Sequence, residues 1–288
     1  MSKNSGELQI ISVERNGYSN ARGTSVRRSK RGRRRRKSAA LRLRASVAAL
    51  LVLGLLSGGF AISALKEIPV GLAVERESPE QFAECEDYPK ELVELLEQNE
   101  ETYDFVENYA KREQYQGKEI DLSDDYRAGS VPLLMQWDKR WGYDLYGDSM
   151  IGLSGCGPTC MTMAYLYYKG DTTMNPRKMA EFAQEQGYHT EEGTSWDFWT
   201  AGAESLGLSG ETVSLSETVM KSVLDAGGLL VLSMLPGDFT TGGHYILLRG
   251  YDENGFFVND PNRNSNSEKQ WDYDTLARQI KNLWAIYG

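Results

Sequence analysis

Hydrophobic and polar positions alternate in four different ways along this chain of 288 residues. Residues 1–44 show no apolar periodicity and are polar, basic and rich in Gly and Ser, which predicts disorder. Residues 45–65, ASVAALLVLGLLSGGFAISAL, form an uncharged run of 21. That is long enough to span a hydrocarbon core of roughly 30 Å. Residues 66–88 are a short polar linker. After Pro89, which suits a first helical turn, apolar residues recur at spacings of three and four: Leu92, Leu95 and Leu96, then Phe105, Val106 and Tyr109. This spacing predicts one or two amphipathic helices that form a stalk or pack on a main domain. No heptad is sustained, so a partner-binding coiled coil is the weaker reading.

A domain is expected over residues 131–288. It begins with an extended segment, 131–136, and an aromatic loop carrying Trp137, Trp141, Tyr143 and Tyr146. Gly155-Cys156-Gly157-Pro158 then opens a predicted helix over 159–168, and further helices are expected over 176–186, 196–206 and 215–226. The C-terminal part changes character. Residues 229–235, 245–251 and 256–258 are rich in Leu, Val, Ile and aromatics and are bounded by Gly, Pro, Asn and Asp, which reads as antiparallel strands. Helices first and strands second predict an α+β fold. The organisation expected is a basic tail (1–44), a membrane-spanning signal anchor (45–65), a linker with a helical stalk (66–130) and the folded domain (131–288).

Charge sharpens this picture. Residues 1–44 hold 14 Lys/Arg against two Asp/Glu, so the total of -9 leaves about -21 for the remainder. An acidic body argues against nucleic-acid binding, because phosphate contacts need clustered Lys/Arg. The basic tail could by itself be a nucleic-acid or nuclear-type run. Followed by an apolar run of this length, it fits an uncleaved anchor better than a cleaved signal peptide, whose apolar core is shorter. Positive charge on the cytoplasmic side then places the C-terminal body outside the membrane. The tail would also meet anionic lipid.

Candidate chemistry is confined by scarcity. There are three cysteines, Cys85, Cys156 and Cys160, and two histidines, His189 and His244. Three cysteines make no disulfide framework. Cys156 and Cys160 lie one turn apart with no Cys/His cluster to complete a metal site. No metal or other cofactor is therefore expected. A thiol at a helix start beside an imidazole suits nucleophilic attack, and Pro158 puts Cys156 at or next to such a start. Gly155 and Gly157 would leave room for backbone and substrate. Cys160, inside the helix beside Met161 and Met163, reads as core, and Cys85 as an unpaired stalk residue. His189 sits in a polar connection and reads as a surface residue. His244 heads a buried-looking strand after Gly242-Gly243, which suits a general base. A hairpin would return the end of the next strand beside it, bringing Asn259 or Asp260 within reach to fix the imidazole tautomer.

Gln136, Gly155-Cys156-Gly157-Pro158, Gly243-His244-Tyr245 and Asn259-Asp260-Pro261, in that order, resemble the papain-fold cysteine peptidases related to the bacteriocin double-glycine leader peptidases. The resemblance is closer to single-domain, exported Gram-positive relatives. It is carried there by Gln136-Trp137-Asp138-Lys139-Arg140-Trp141-Gly142, Gly193-Thr194-Ser195-Trp196 and Asn282-Leu283-Trp284. It covers about residues 131–288. It implies a papain-like fold with Cys156 as nucleophile, His244 as base, Asp260 as orienting residue and Gln136 as oxyanion donor. It further implies a peptide or protein substrate, met here outside the membrane. Gln136 lies twenty positions before Cys156, where in the leader peptidases it lies only a few before, so the aromatic loop must fold out and return. Two alternatives stay open on the same fold: an inactive binding module at the cell surface, and cell-wall amide hydrolysis or transpeptidation.

Overall fold

A computed structural model describes residues 76–85 and 87–288. The tail, the apolar run over 45–65 and the first part of the linker lie outside the described residues. Among those described, no helix is long and apolar enough to cross a membrane.

The centre is a six-stranded antiparallel sheet. Its strands are β1 (Ser209–Thr212), β2 (Leu229–Met234), β3 (His244–Asp252), β4 (Gly255–Asn259), β5 (Gln270–Trp271) and β6 (Ile280–Tyr287), in the order β1-β6-β2-β3-β4-β5. All six residues of β2 are buried, because it lies inside the sheet and both faces are covered. Successive side chains leave a strand on opposite faces, so neighbours join different cores. Leu229, Val231, Tyr245, Leu247, Trp284 and Ile286 pack against α1 (Cys156–Lys169) and α2 (Pro176–Glu185). Leu230, Leu232, Ile246, Leu248 and Ala285 face α3 (Glu217–Asp225), through Met220 and Val223, together with Phe239, Trp271 and Leu276. The fold is thus α+β, as the sequence predicts, but with helices on both faces of the sheet.

Element boundaries differ where local signals compete. The helix expected over 196–206 divides into a 3-10 turn, Trp196–Trp199, and a short helix, Ala201–Ser205, with Thr200 between them at φ -118°, ψ -85°. Three strands, β1, β5 and β6, were not expected. β1 is short and polar, Ser-Gly-Glu-Thr, and shows no hydrophobic alternation. Within 66–88, assigned to linker, Pro79–Ala83 is helical, opened by a capping box at Ser78. The extended segment 131–136 pairs with no strand.

Residues 76–130 form one compact unit with the rest of the described chain. The helix Lys90–Gln98 buries Leu92, Val93 and Leu96, and with Phe82, Phe105 and Val106 these meet Tyr143 and Met150 of the aromatic loop. Phe105 stacks on Tyr143 at 4.4 Å between ring centroids, and the Tyr143 hydroxyl donates to the Phe105 carbonyl at 2.6 Å. Of the two arrangements the pattern allowed for these helices, they pack on the main domain.

Candidate active site

Cys156 is the first residue of α1, with Gly155 as N-cap. Thr159 closes the turn: its N–H and its hydroxyl both donate to the Gly155 carbonyl, at 3.0 and 2.8 Å. The two flanking glycines serve packing and do not leave open space. A Cβ on Gly157 would lie 2.3 Å from Thr194 Oγ1, and one on Gly155 would lie 2.5 Å from Ile151 Cγ2. Thr194 is fixed in turn, its hydroxyl 2.9 Å from the Tyr146 hydroxyl and its carbonyl accepting from the Tyr245 hydroxyl at 2.9 Å. The glycine pair before His244 differs: a Cβ on Gly242 or Gly243 would meet nothing within 4 Å.

His244 is the first residue of β3. Leu247 pairs with Asn259 in the β3–β4 hairpin. Strand parity therefore puts Asn259 on the face of Leu247, and Asp260, one step on, on the face of Ile246 and His244. This resolves the choice between Asn259 and Asp260. His244 Nε2 lies 2.8 Å from Asp260 Oδ1, with His244 buried and Asp260 wholly so. Asn259 turns the other way, donating to the Pro132 carbonyl at 2.8 Å and accepting from Arg249 Nε at 2.8 Å. With Nε2 committed to the carboxylate, Nδ1 is the ring nitrogen left for Cys156.

Electrostatics couples these groups. Burial is the largest single influence on His244 and opposes its charged form. The Asp260 charge and hydrogen bond, with a hydrogen bond and charge from Cys156, outweigh it and push the imidazole up to about 10. Asp260 is the counterpart: burial raises it, but His244 and the donors around it hold the carboxyl below its ordinary value. Cys160 lies one turn along α1, fully buried, its thiol 3.4 Å from the Tyr245 carbonyl. Burial, then Cys156 and Asp260, push that thiol well up, which suits the core role expected of it. Cys85 is exposed, and none of the three cysteines forms a disulfide.

Gln136 is buried and returns to the site despite the intervening loop. Its backbone N–H donates to the Pro261 carbonyl at 2.7 Å, next to Asp260, and its Nε2 donates to the Gly152 carbonyl at 2.9 Å, one turn before Cys156. Its Oε1 is buried without a partner among the described residues. Trp141, Tyr143 and Tyr146 of the aromatic loop are core, whereas Trp196 is 45% exposed. His189 is half-buried and not a free surface residue: its ring meets Tyr146 edge-on at 4.5 Å, and it pairs with Thr194 in a two-residue hairpin.

Sequence reasoning missed the residues that hold Asp260. Asn266 Nδ2 donates to Asp260 Oδ2 at 2.7 Å, and the Asn262 and Arg263 N–H groups donate to Oδ1 at 2.8 and 3.3 Å. Ser267 Oγ accepts from the Asp260 N–H at 2.9 Å. The only signal for these was the polar stretch after Pro261, which reads equally as an ordinary turn.

Comparison with known proteins gives a family and distant structural likenesses. The model of the Peptidase_C39 like family matches residues 128–288. No curated protein matches. Two solved structures are similar. One is the peptidase domain of Streptococcus ComA, a bi-functional ABC transporter involved in a quorum-sensing pathway, at 15% identity and TM-score 0.38, covering 55% of this chain and 97% of that one. The other is a C39-like peptidase from Bacillus anthracis, at 15% identity and TM-score 0.35, covering 59% of this chain and 98% of that one.

Proposed function

This chain belongs to the C39-like peptidase family, and from that premise we propose that it is a cysteine peptidase hydrolysing a peptide or amide bond. The observation that carries the reading is the buried 2.8 Å pairing of His244 Nε2 with Asp260 Oδ1 beside a cysteine that opens a helix. Cys156 sulfur attacks the carbonyl carbon, and the carbonyl π electrons move onto oxygen. His244, in its acid form, gives its Nδ1 proton to the leaving amine as the C–N bond breaks. The imidazole then takes a proton from water, whose oxygen attacks the thioester and releases the acid. Asp260 fixes the ring so that Nδ1 faces the sulfur and stabilises the imidazolium. Gln136 is the proposed oxyanion donor. One of its two amide hydrogens is engaged by Gly152, and the other is left for a developing oxyanion. The sequence pattern over 1–65 supports an anchored enzyme whose body acts outside the membrane on peptide or protein substrates.

Two measurements test this on the full chain in detergent. Iodoacetamide labelling followed by mass mapping should modify Cys156 at least tenfold faster than exposed Cys85 at pH 7. A peptide library read by mass spectrometry should show cleavage that Cys156→Ala abolishes. Equal labelling of Cys156 and Cys85, together with products that persist in Cys156→Ala, would sink the assignment.

A further inference from the structure

The loop that carries Asp260 is held from outside the stretch matched by the family. Asn99 is buried at the end of the helix Lys90–Gln98. Its Oδ1 accepts from the Glu101 N–H at 3.2 Å, and its Nδ2 donates to the Asn262 carbonyl at 2.6 Å. That carbonyl also accepts from Trp137 Nε1 at 2.7 Å. The Glu101 carboxylate accepts two consecutive backbone N–H groups, Asn264 at 2.6 Å and Ser265 at 3.0 Å. Hydrogen bonds to a carboxylate are roughly twice as strong as neutral ones. Gln98 adds two ties: its carbonyl accepts from Arg263 Nη2, and its side-chain oxygen accepts from the Thr241 hydroxyl at 3.4 Å. Thr241 lies three residues before His244.

We propose that Asn99 and Glu101 are positioning residues for the proposed reaction. They clamp residues 262–265 so that the loop keeps Asp260 aimed at His244. The links are continuous. Asn99 grips the carbonyl of Asn262, whose N–H holds Asp260 Oδ1. Glu101 grips the start of the turn that presents Asn266 to Asp260 Oδ2 and Ser267 to the Asp260 N–H. A network held at both ends resists the small displacements that unmake catalytic geometry. Residues 98–101 therefore act on the reaction without touching a substrate. The proposal deepens the peptidase reading and rests on it.

The test reads His244 directly, because the chain has only two histidines. The titratable groups acting on the imidazole are Asp260 and Cys156, with Cys160 buried behind them. In the full chain, NMR titration of His244 and the pH profile of Cys156 alkylation by iodoacetamide are compared across Asn99→Ala, Glu101→Ala, Glu101→Gln and the control Glu100→Ala. Thermal melts and circular dichroism establish folding. In each Ala variant the His244 midpoint should fall by about one pH unit, and the high-pH limb of the alkylation profile should move down with it. Glu101→Gln, which keeps one of the two accepting oxygens, should fall between Glu101→Ala and the unaltered protein in both, and Glu100→Ala should match the unaltered protein. A merely structural role would lower the melting temperature and leave the titration unmoved. Folded Ala variants with an unmoved titration overturn the proposal. Where those variants do not fold, Asn99→Asp, which cannot donate to the Asn262 carbonyl, carries the same comparison, and its unmoved titration overturns the proposal. Asp260→Asn separates the two readings. If it also leaves His244 unmoved, the triad reading falls; if it moves His244 while the 99 and 101 variants do not, only the positioning proposal falls.

Discussion

At the scale of single residues, the site is a chain of dependence running from Cys156 through His244 and Asp260 to Asn266. Groups that act as one catalytic unit are strongly non-additive. Cys156→Ala and His244→Ala are each expected to remove nearly all turnover, and the double variant little more, in single-turnover assays on a peptide that the library identifies. Asp260→Asn should lose less than either, since an amide oxygen still accepts from Nε2. Asn266→Ala tests the layer behind. It removes a donor from a buried carboxylate oxygen that sees no solvent. A lost bond to a charged group is expected to cost about 1.5–3 kcal/mol in urea unfolding. Cys156 and His244 stood out in the sequence as candidates because each sits at a chain punctuation, a Gly-Pro helix start or a strand start, while the strand end offered Asn259 and Asp260 alike. Asn266 was not, because an Asn in a polar turn looks the same whether it caps, solvates or holds a carboxylate.

At the scale of elements, the start of α1 shows how packing and chemistry share one turn. Gly157 has no side chain because Thr194 occupies the space that a Cβ would need, and Thr194 cannot move without disturbing Tyr146 and Tyr245. Gly157→Ala is therefore expected to destabilise by about 1–3 kcal/mol through overpacking, read as a lower urea midpoint at unchanged slope. It should also slow Cys156 alkylation, because the helix start is displaced. The helix itself was predictable from its apolar content and Pro158. The order of the sheet was not. β6 pairs with β1 and β2, each distant in sequence, and a polar strand such as β1 takes its conformation from the neighbour it pairs with.

At the scale of the whole molecule, the buried His244–Asp260 pair sets a pH window. His244 has a folded pKa raised from 6.5 to about 10. Its contribution to stability is fully present below pH 6.5 and is lost as pH rises towards 10. Asp260 is held below its ordinary 3.8, so its contribution is present above that value and is lost as pH falls. Urea unfolding is expected to show stability declining between about pH 7 and 10, and the decline should flatten in Asp260→Asn, where the imidazolium has no counter-charge. An unchanged slope in that variant would contradict the assignment. The proposed anchor is tested at this scale too. Protease added to intact cells should digest the body and spare the tail before the apolar run 45–65. Protection of the body would reverse the orientation.

Sequence alone determined what depends on local chemistry: which thiol opens a helix, which imidazole heads a strand, the α+β class, and a charge division between tail and body. These follow from spacing and residue type, which need no partner to be read. Tertiary structure decided whatever depends on register and long-range contact. Parity across the β3–β4 hairpin selected Asp260 over Asn259, since one residue of offset exchanges the faces of a strand. The return of Gln136 to the turn before Cys156 needed the aromatic loop to fold against residues 82–106, and the same packing brought Asn99 and Glu101 to the Asp260 loop. Contacts between residues more than a hundred positions apart leave no periodic trace in a single sequence, so only the folded chain reveals them.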